Sequence, residues 1–148
     1  MGEGRFGHGG ARGRGRGWVM AGAEEGFGHE RLEVYRLALE LVEEIDRLAN
    51  RFGGSRKHLA WQMHRSVCSV PLNIAEANGR RTGPDKARHL VIATGSALEC
   101  AAALDIAARL HVITPEERER LRTLLLRITR MLITLTRSVR TRHPPSRS

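Results

Sequence analysis

The chain has 148 residues and a net charge of +9, carried by 25 Lys and Arg against 16 Asp and Glu. Its length allows one domain with a real core, and the basic excess points to a polyanion, nucleic acid before an anionic membrane surface. A GC-rich genome, which enriches Arg, Gly and Ala together, is the competing source of that charge.

In chain order, residues 1–28 hold 11 of the 16 glycines and almost no aliphatic side chains. A segment that poor in apolar surface cannot offset chain entropy, so it is expected to be a disordered Gly/Arg-rich leader. Its Arg-Gly tract, Gly13 to Gly17, either contacts RNA loosely or lies upstream of the true start at Met20. Gly2, Gly4 and Gly7 formally match GxGxxG, but no strand precedes them and no βαβ unit follows. The leader contains no apolar run able to act as a secretory signal, and nothing in the chain approaches about 18 uninterrupted apolar residues. A soluble, cytoplasmic protein without a membrane partner is the expectation.

Residues 29–142 carry the period of four amphipathic helices, and 143–148 are expected to be a disordered tail. The first helix spans about His29 to Phe52 and stops at Gly53-Gly54. Its apolar residues cover more than half the circumference, wider than the stripe of about 100° that one core needs. That surplus predicts a second interface and hence an oligomer. The second helix begins at a Ser55 cap and runs to Asn78-Gly79. It carries one apolar stripe at Leu59, Met63, Val67, Val70 and Ile74 and an opposite one at Trp61, Cys68, Leu72 and Ala75. Pro71 is expected to kink it. The third helix opens near Thr82-Gly83-Pro84, runs to about His111 and is rich in alanine, which permits close helix approach. Thr114-Pro115-Glu116-Glu117 opens the fourth: a Thr cap, Pro in the first position and acids in the first turn. Strand signals are absent and the connections are short, so the expected fold is all-α, an antiparallel up-down-up-down four-helix bundle.

Positive charge concentrates on the second and fourth helices. Arg80, Arg81, Arg120, Arg122, Arg127, Arg130, Arg137 and Arg140 are the candidate nucleic-acid contacts, tracking phosphates without reading sequence. With few aromatics and no RRM, zinc-finger or KH signature, binding to RNA or DNA is expected to be backbone-directed and salt-dependent; a solvated arginine face is the alternative. A polar line on the second helix faces polar residues of the third. Arg65, Asn73, Glu76, Arg88 and Glu99 are therefore expected to form a charge-paired structural network.

Enzyme signatures are missing. No Glu is followed three residues later by His, as di-iron bundles require, and there is no HExxH, GxSxG or Walker loop. No metal, cofactor or catalytic residue is expected. Cys68 and Cys100 lack CxxC spacing and read as free, buried thiols of a reducing cytosol. Cys68 with His64 one turn away reads as an inert core pair, not a nucleophile and base.

Several of these residues also carry a family likeness. Gln62 to Arg81, QMHRSVCSVPLNIAEANGRR, followed by Asp85 to Glu99, DKARHLVIATGSALE, resembles the signature of a bacterial four-helix-bundle family. That family holds the intervening-sequence proteins of 23S ribosomal RNA and the accessory variability proteins of diversity-generating retroelements. Its pattern falls on Arg65, Ser69, Asn73-Ile74-Ala75-Glu76, Gly79-Arg80, Arg88, Leu90, Gly95-Ser96 and Glu99, and Leu32 to Tyr35 resembles its opening motif. Ala77 stands where the family usually has Gly, and His89 replaces an aromatic. The resemblance covers nearly all of 27–140. It implies a homopentameric ring and, for the retroelement branch, binding to a reverse transcriptase and nucleic acid. The motifs here resemble the intervening-sequence branch more closely. The function expected is a non-catalytic, homo-oligomeric accessory protein that binds nucleic-acid phosphates; the alternative is a scaffold that docks a reverse transcriptase or a ribosome-associated factor.

Overall fold

The structure, a computed structural model, describes residues 27–142. The disorder expected of the leader up to residue 26 and of the tail 143–148 lies outside the described residues. A 3-10 turn, Gly28–Arg31, leads into four helices: α1 Glu33–Ala49, α2 Lys57–Gly79, α3 Gly83–Arg109 and α4 Pro115–Arg142. No strand occurs among the described residues.

Each helix boundary has a local cause. Leu32 adopts an extended conformation (φ −77°, ψ 123°), so the first predicted helix is divided into the 3-10 turn and α1. The His29 and Tyr35 rings meet edge to face across that joint, with centroids 4.7 Å apart. The expected Ser55 cap is not formed: Ser55 lies inside a second 3-10 turn, Gly54–Arg56, and its carbonyl accepts from His58 Nδ1 at 2.7 Å. Gly54 enters that turn at φ +54°, a region costly for residues with a Cβ. Pro71 is buried and α2 continues through it.

Thr82 caps α3 by accepting from the Asp85 amide, with Pro84 in the first turn. Thr114 and Glu117 form a reciprocal capping box on α4. The Glu117 amide donates to Thr114 Oγ1 at 3.1 Å, and the Thr114 amide donates to Glu117 Oε2 at 2.9 Å. A hydrogen bond from Arg51, with the Thr114 amide second, holds the Glu117 carboxyl below its ordinary value. Between α3 and α4, Val112 N–H donates to the Ala107 carbonyl and His111 N–H to that of Ala108. This is a Schellman closure with His111, not Gly, in the left-handed position at φ 56°.

Cross-helix contacts fix the antiparallel order. Asp46 lies 3.6 Å from His64, Asn73 reaches His89, and Arg118 binds Asp105 at 2.7 Å. Glu33 and Glu44 of α1 and Arg51 just beyond it meet Arg127, Arg120 and Glu117 in turn, so numbers rise along α1 as they fall along α4. The α2–α3 contact is the most extensive, followed by α3–α4. The core runs from Val34, Leu41 and Ile45 through Met63, Val67 and Ile74 to Leu90, Leu104, Ile128 and Leu132. Each wholly buried Leu or Ile contributes about 1.5–3 kcal/mol.

Helix α1 does not carry the surplus apolar face expected of it. Of its apolar side chains only Leu39 is exposed, because α2 and α4 both pack against α1 and absorb the wide stripe. Most of the unburied apolar surface lies instead on α2 and α3, at Trp61, Leu72, Val91, Ile92, Leu98 and Ile106, with Leu126 and Ile133 of α4 less exposed. Helix α3 has no uninterrupted apolar run, yet by length and composition alone it is apolar enough to cross a membrane. In the bundle its alanine-rich side packs between α2 and α4.

An L-residue at the left-handed position costs about 1–2 kcal/mol that glycine does not pay. His111→Gly is therefore expected to raise stability by about 0.5–1 kcal/mol in urea denaturation; an unchanged or lowered midpoint counts against the closure.

Candidate nucleic-acid interface

Antiparallel packing gathers the start of α1, the end of α2, the start of α3 and the end of α4 at one end of the bundle. This end (27–38, 74–94 and 127–142) carries eleven Lys and Arg against four Asp and Glu. The opposite end (39–73 and 95–126) carries nine against nine. All of the net charge of the described residues, +7, thus belongs to one end.

The eight candidate arginines do not share one environment. Arg120 and Arg122 lie at the neutral end, where Arg120 pairs with Glu44 and Arg122 lies 3.7 Å from Glu119. Arg127 pairs with Glu33 and Arg80 with Glu76, the latter at 2.6 Å along one helix. Such exposed pairs contribute little to stability, but they cancel the field a phosphate would feel. Arg81, Arg130, Arg137 and Arg140 are exposed at the basic end and have no carboxylate partner among the described residues. Lys86 shares that end, and partial burial pulls its ammonium below the ordinary value.

The charge-paired network expected between α2 and α3 is not formed. Among the described residues no ion pair joins Arg65 or Arg88 to Glu76 or Glu99. Arg65 stacks over Trp61 at 5.5 Å, Glu76 is taken by Arg80, Glu99 is exposed, and Arg88 sits at the basic end beside Arg140. These long side chains stay in water because no partner at the seam repays their desolvation.

Only Asn73 belongs to the seam, and short neutral groups take the other places. Ser96 Oγ donates to the Ile92 carbonyl at 3.0 Å, which leaves it to accept from Ser69 Oγ at 2.7 Å. Ser69 in turn accepts from Asn73 Nδ2 at 3.1 Å, and Asn73 Oδ1 faces His89 Nδ1 at 3.2 Å. An amide oxygen only accepts, so this geometry selects the Nδ1-protonated tautomer of His89. One line of donors then runs from His89 through Asn73, Ser69 and Ser96 to the backbone. Ser66 continues the seam, donating to the Gln62 carbonyl at 2.8 Å and touching the Cys100 thiol, while Gln62 Oε1 is buried without a partner.

Of the two cysteines only Cys100 is buried; Cys68 is exposed on the outer stripe with Trp61 and Leu72, not in the core. Burial pushes the Cys100 thiol up to about 12, which makes it a poor nucleophile. His64 faces Asp46. Sequence reasoning placed Ser69 and Ser96 on the facing polar sides but missed Ser66 and His89 as seam residues. The available signal was the i, i+3/i+4 spacing of Gln62, Ser66, Ser69 and Asn73, which follows one helix face better than the line drawn through Arg65 and Glu76.

Two open grooves flank α4. One, of about 450 Å³, lies between Leu32, Val34, Met131 and Leu135, with Glu33 and Arg130 on its rim. The other, of about 530 Å³, lies between the start of α3 and the end of α4, and its lining includes Arg88 and Arg140.

The family model of the 23S rRNA-intervening sequence protein matches residues 30–134, which takes in all of α1, α2 and α3, and α4 as far as Thr134. A solved structure of a protein of unknown function from the S23 ribosomal protein family, from Bacteroides thetaiotaomicron, is similar. Identity is 28% and the TM-score 0.66, over 70% of this chain and 97% of that one. No curated protein matches the chain.

The seam makes a quantitative expectation. Ser69→Ala and Ser96→Ala each leave a partner unsatisfied and are expected to cost about 1–3 kcal/mol. The double variant should cost less than their sum, by about 0.5–3 kcal/mol. Glu99→Ala should stay within about 0.5 kcal/mol. Additive serine effects in a denaturant-melt cycle refute the donor line.

Proposed function

Because the chain belongs to the 23S rRNA-intervening sequence protein family, we propose that it is a non-catalytic, homo-oligomeric cytoplasmic accessory protein that holds nucleic acid by its phosphates at the basic end of the bundle. The observation that carries this reading is the confinement of the described residues' net charge to one end of the bundle. A concentrated cationic surface releases condensed counterions when phosphates dock, which gives affinity without base recognition. The family's name ties it to ribosomal RNA, which favours RNA over DNA as the polyanion. Arg81, Arg88, Arg130, Arg137 and Arg140 are the contacts this reading selects; the carboxylate partners of Arg120 and Arg122 argue against those two.

Homo-oligomerisation is supported by the exposed apolar side chains of α2 and α3. Trp61 is 58% exposed, Leu72 65%, Leu98 56% and Ile106 50%, and they extend over much of the bundle's length. Apolar surface of that extent, rimmed by polar residues, marks an interaction site. A ring of five copies is the arrangement implied by the likeness to the family signature. The second reading places another protein on the same face, a reverse transcriptase as in the accessory variability branch or a ribosome-associated factor.

Two measurements test these readings. In fluorescence anisotropy, affinity for RNA should fall steeply with salt, and Arg130→Gln with Arg137→Gln should reduce the salt slope by about two phosphates' worth. Arg120→Gln with Arg122→Gln should leave the slope nearly unchanged. Equal effects from the two pairs, or no binding at low salt, defeat the assignment. Light scattering coupled to size exclusion should give about five times 16.5 kDa, and Trp61→Glu with Leu98→Glu should return the monomer. A wild-type monomer that retains a protein partner after nuclease treatment supports the second reading instead.

A further inference from the structure

We propose that the groove between the first turns of α3 and the last turns of α4 seats an unpaired nucleobase, so that the basic end selects single-stranded over duplex RNA. The inference rests on the phosphate-binding reading above and names its substrate class.

The groove joins two chemistries that a nucleotide requires together. Its floor is aliphatic, formed by Pro84, Ala87, Val91 and Ile92, with Val91 47% and Ile92 40% exposed. Its rim carries two guanidinium groups, Arg88 from α3 and Arg140 from α4. Neither has a carboxylate partner among the described residues. Val91 and Ile92 stay wet in the protomer, so covering them with a flat ring is favourable. A guanidinium stacks on a base through its plane and takes a phosphate through its fork. The volume, about 530 Å³, falls in the range of small-ligand sites.

The groove between α1 and α4 is of similar size but lacks this combination, because its rim holds Glu33, engaged with Arg127. Charge complementarity therefore assigns the nucleotide to the α3–α4 groove. A duplex fits it badly. Its bases are already stacked and paired, its narrow major groove admits no side chain, and extruding a base costs the stacking energy. Single strands carry no such cost, and a base seated here leaves the flanking phosphates to Arg81 and Arg137 at the same end.

The test uses the full chain at low salt and three labelled probes. These are a mixed-sequence single-stranded RNA of about 12 nucleotides, a duplex of the same sequence, and an abasic strand with the same number of phosphates. Anisotropy should show the single strand binding about tenfold tighter than either control. Val91→Ser with Ile92→Ser should abolish that preference while leaving duplex affinity, helicity by circular dichroism and oligomer mass unchanged. Arg88→Gln, an exposed change that leaves the floor intact, should weaken all three probes. Equal binding of the normal and abasic strands overturns the inference while the phosphate reading stands. A serine variant that keeps the preference also overturns it. So does a shift in oligomer mass, which assigns the groove to a second copy of the chain. Absence of any binding at low salt overturns both readings.

Discussion

The antiparallel seam between α2 and α3 is the contact from which the rest of this bundle follows. Alanines at 93, 97, 103 and 107 are buried on α3, and small side chains let neighbouring helix backbones approach closely. Close approach also makes any unsatisfied polar group expensive. Apart from the Gln62 Oε1 atom, the seam meets that demand with short neutral side chains whose line of donors runs from His89 to the Ile92 carbonyl. A slip of α3 against α2 would separate Ser69 from Ser96 and Asn73 from His89 together. Register is therefore set by polar pairing, and hydrophobic burial supplies most of the energy.

Once that register is fixed, the distribution of charge is no longer adjustable. The α2–α3 turn and both ends of the described chain must lie together, and they bring Arg80, Arg81, Arg88, Arg137 and Arg140 to one pole. The acids of α1 and of the first turn of α4 meet the arginines of the other pole and neutralise it. A modest overall excess becomes a polar molecule, with a cationic cap on a neutral body. That shape concentrates the field where a polyanion can approach end-on, and screening in salt limits its reach to about 8–10 Å.

The seam also decides which side of α3 faces outward. With one edge committed to α2 and another to α4, α3 turns Leu98 and Ile106 to solvent, and Trp61 and Leu72 of α2 are exposed as well. A lone soluble bundle gains nothing from this exposure, since the same positions tolerate polar residues without disturbing the core. The exposure agrees with an assembled state in which α2 and α3 face a neighbour. It also explains how a helix can be apolar enough to span a bilayer while belonging to a four-helix bundle.

The sequence by itself determined the elements. Helical period, the Thr82 and Thr114 caps, Pro84, Pro115 and the Asn78-Gly79 stop are local signals, and local signals survive in one dimension. The inner stripe of α2, Leu59 to Ile74, was legible for the same reason. What only the tertiary structure decided is which neighbours those faces meet. Arg65 and Glu99 share helix faces with seam residues in projection, yet they lie just outside it, where water solvates a charge better than the seam can. Arg120 and Arg130 look equivalent on one helix, but three turns of separation put Arg120 against Glu44 and leave Arg130 without a carboxylate among the described residues. The wide apolar stripe of α1 announced surplus surface, and only packing against both α2 and α4 revealed that the surplus lies on the outer stripe of α2 and on α3. Electrostatic and apolar surfaces are sums over residues distant in sequence, and the fold alone performs that summation.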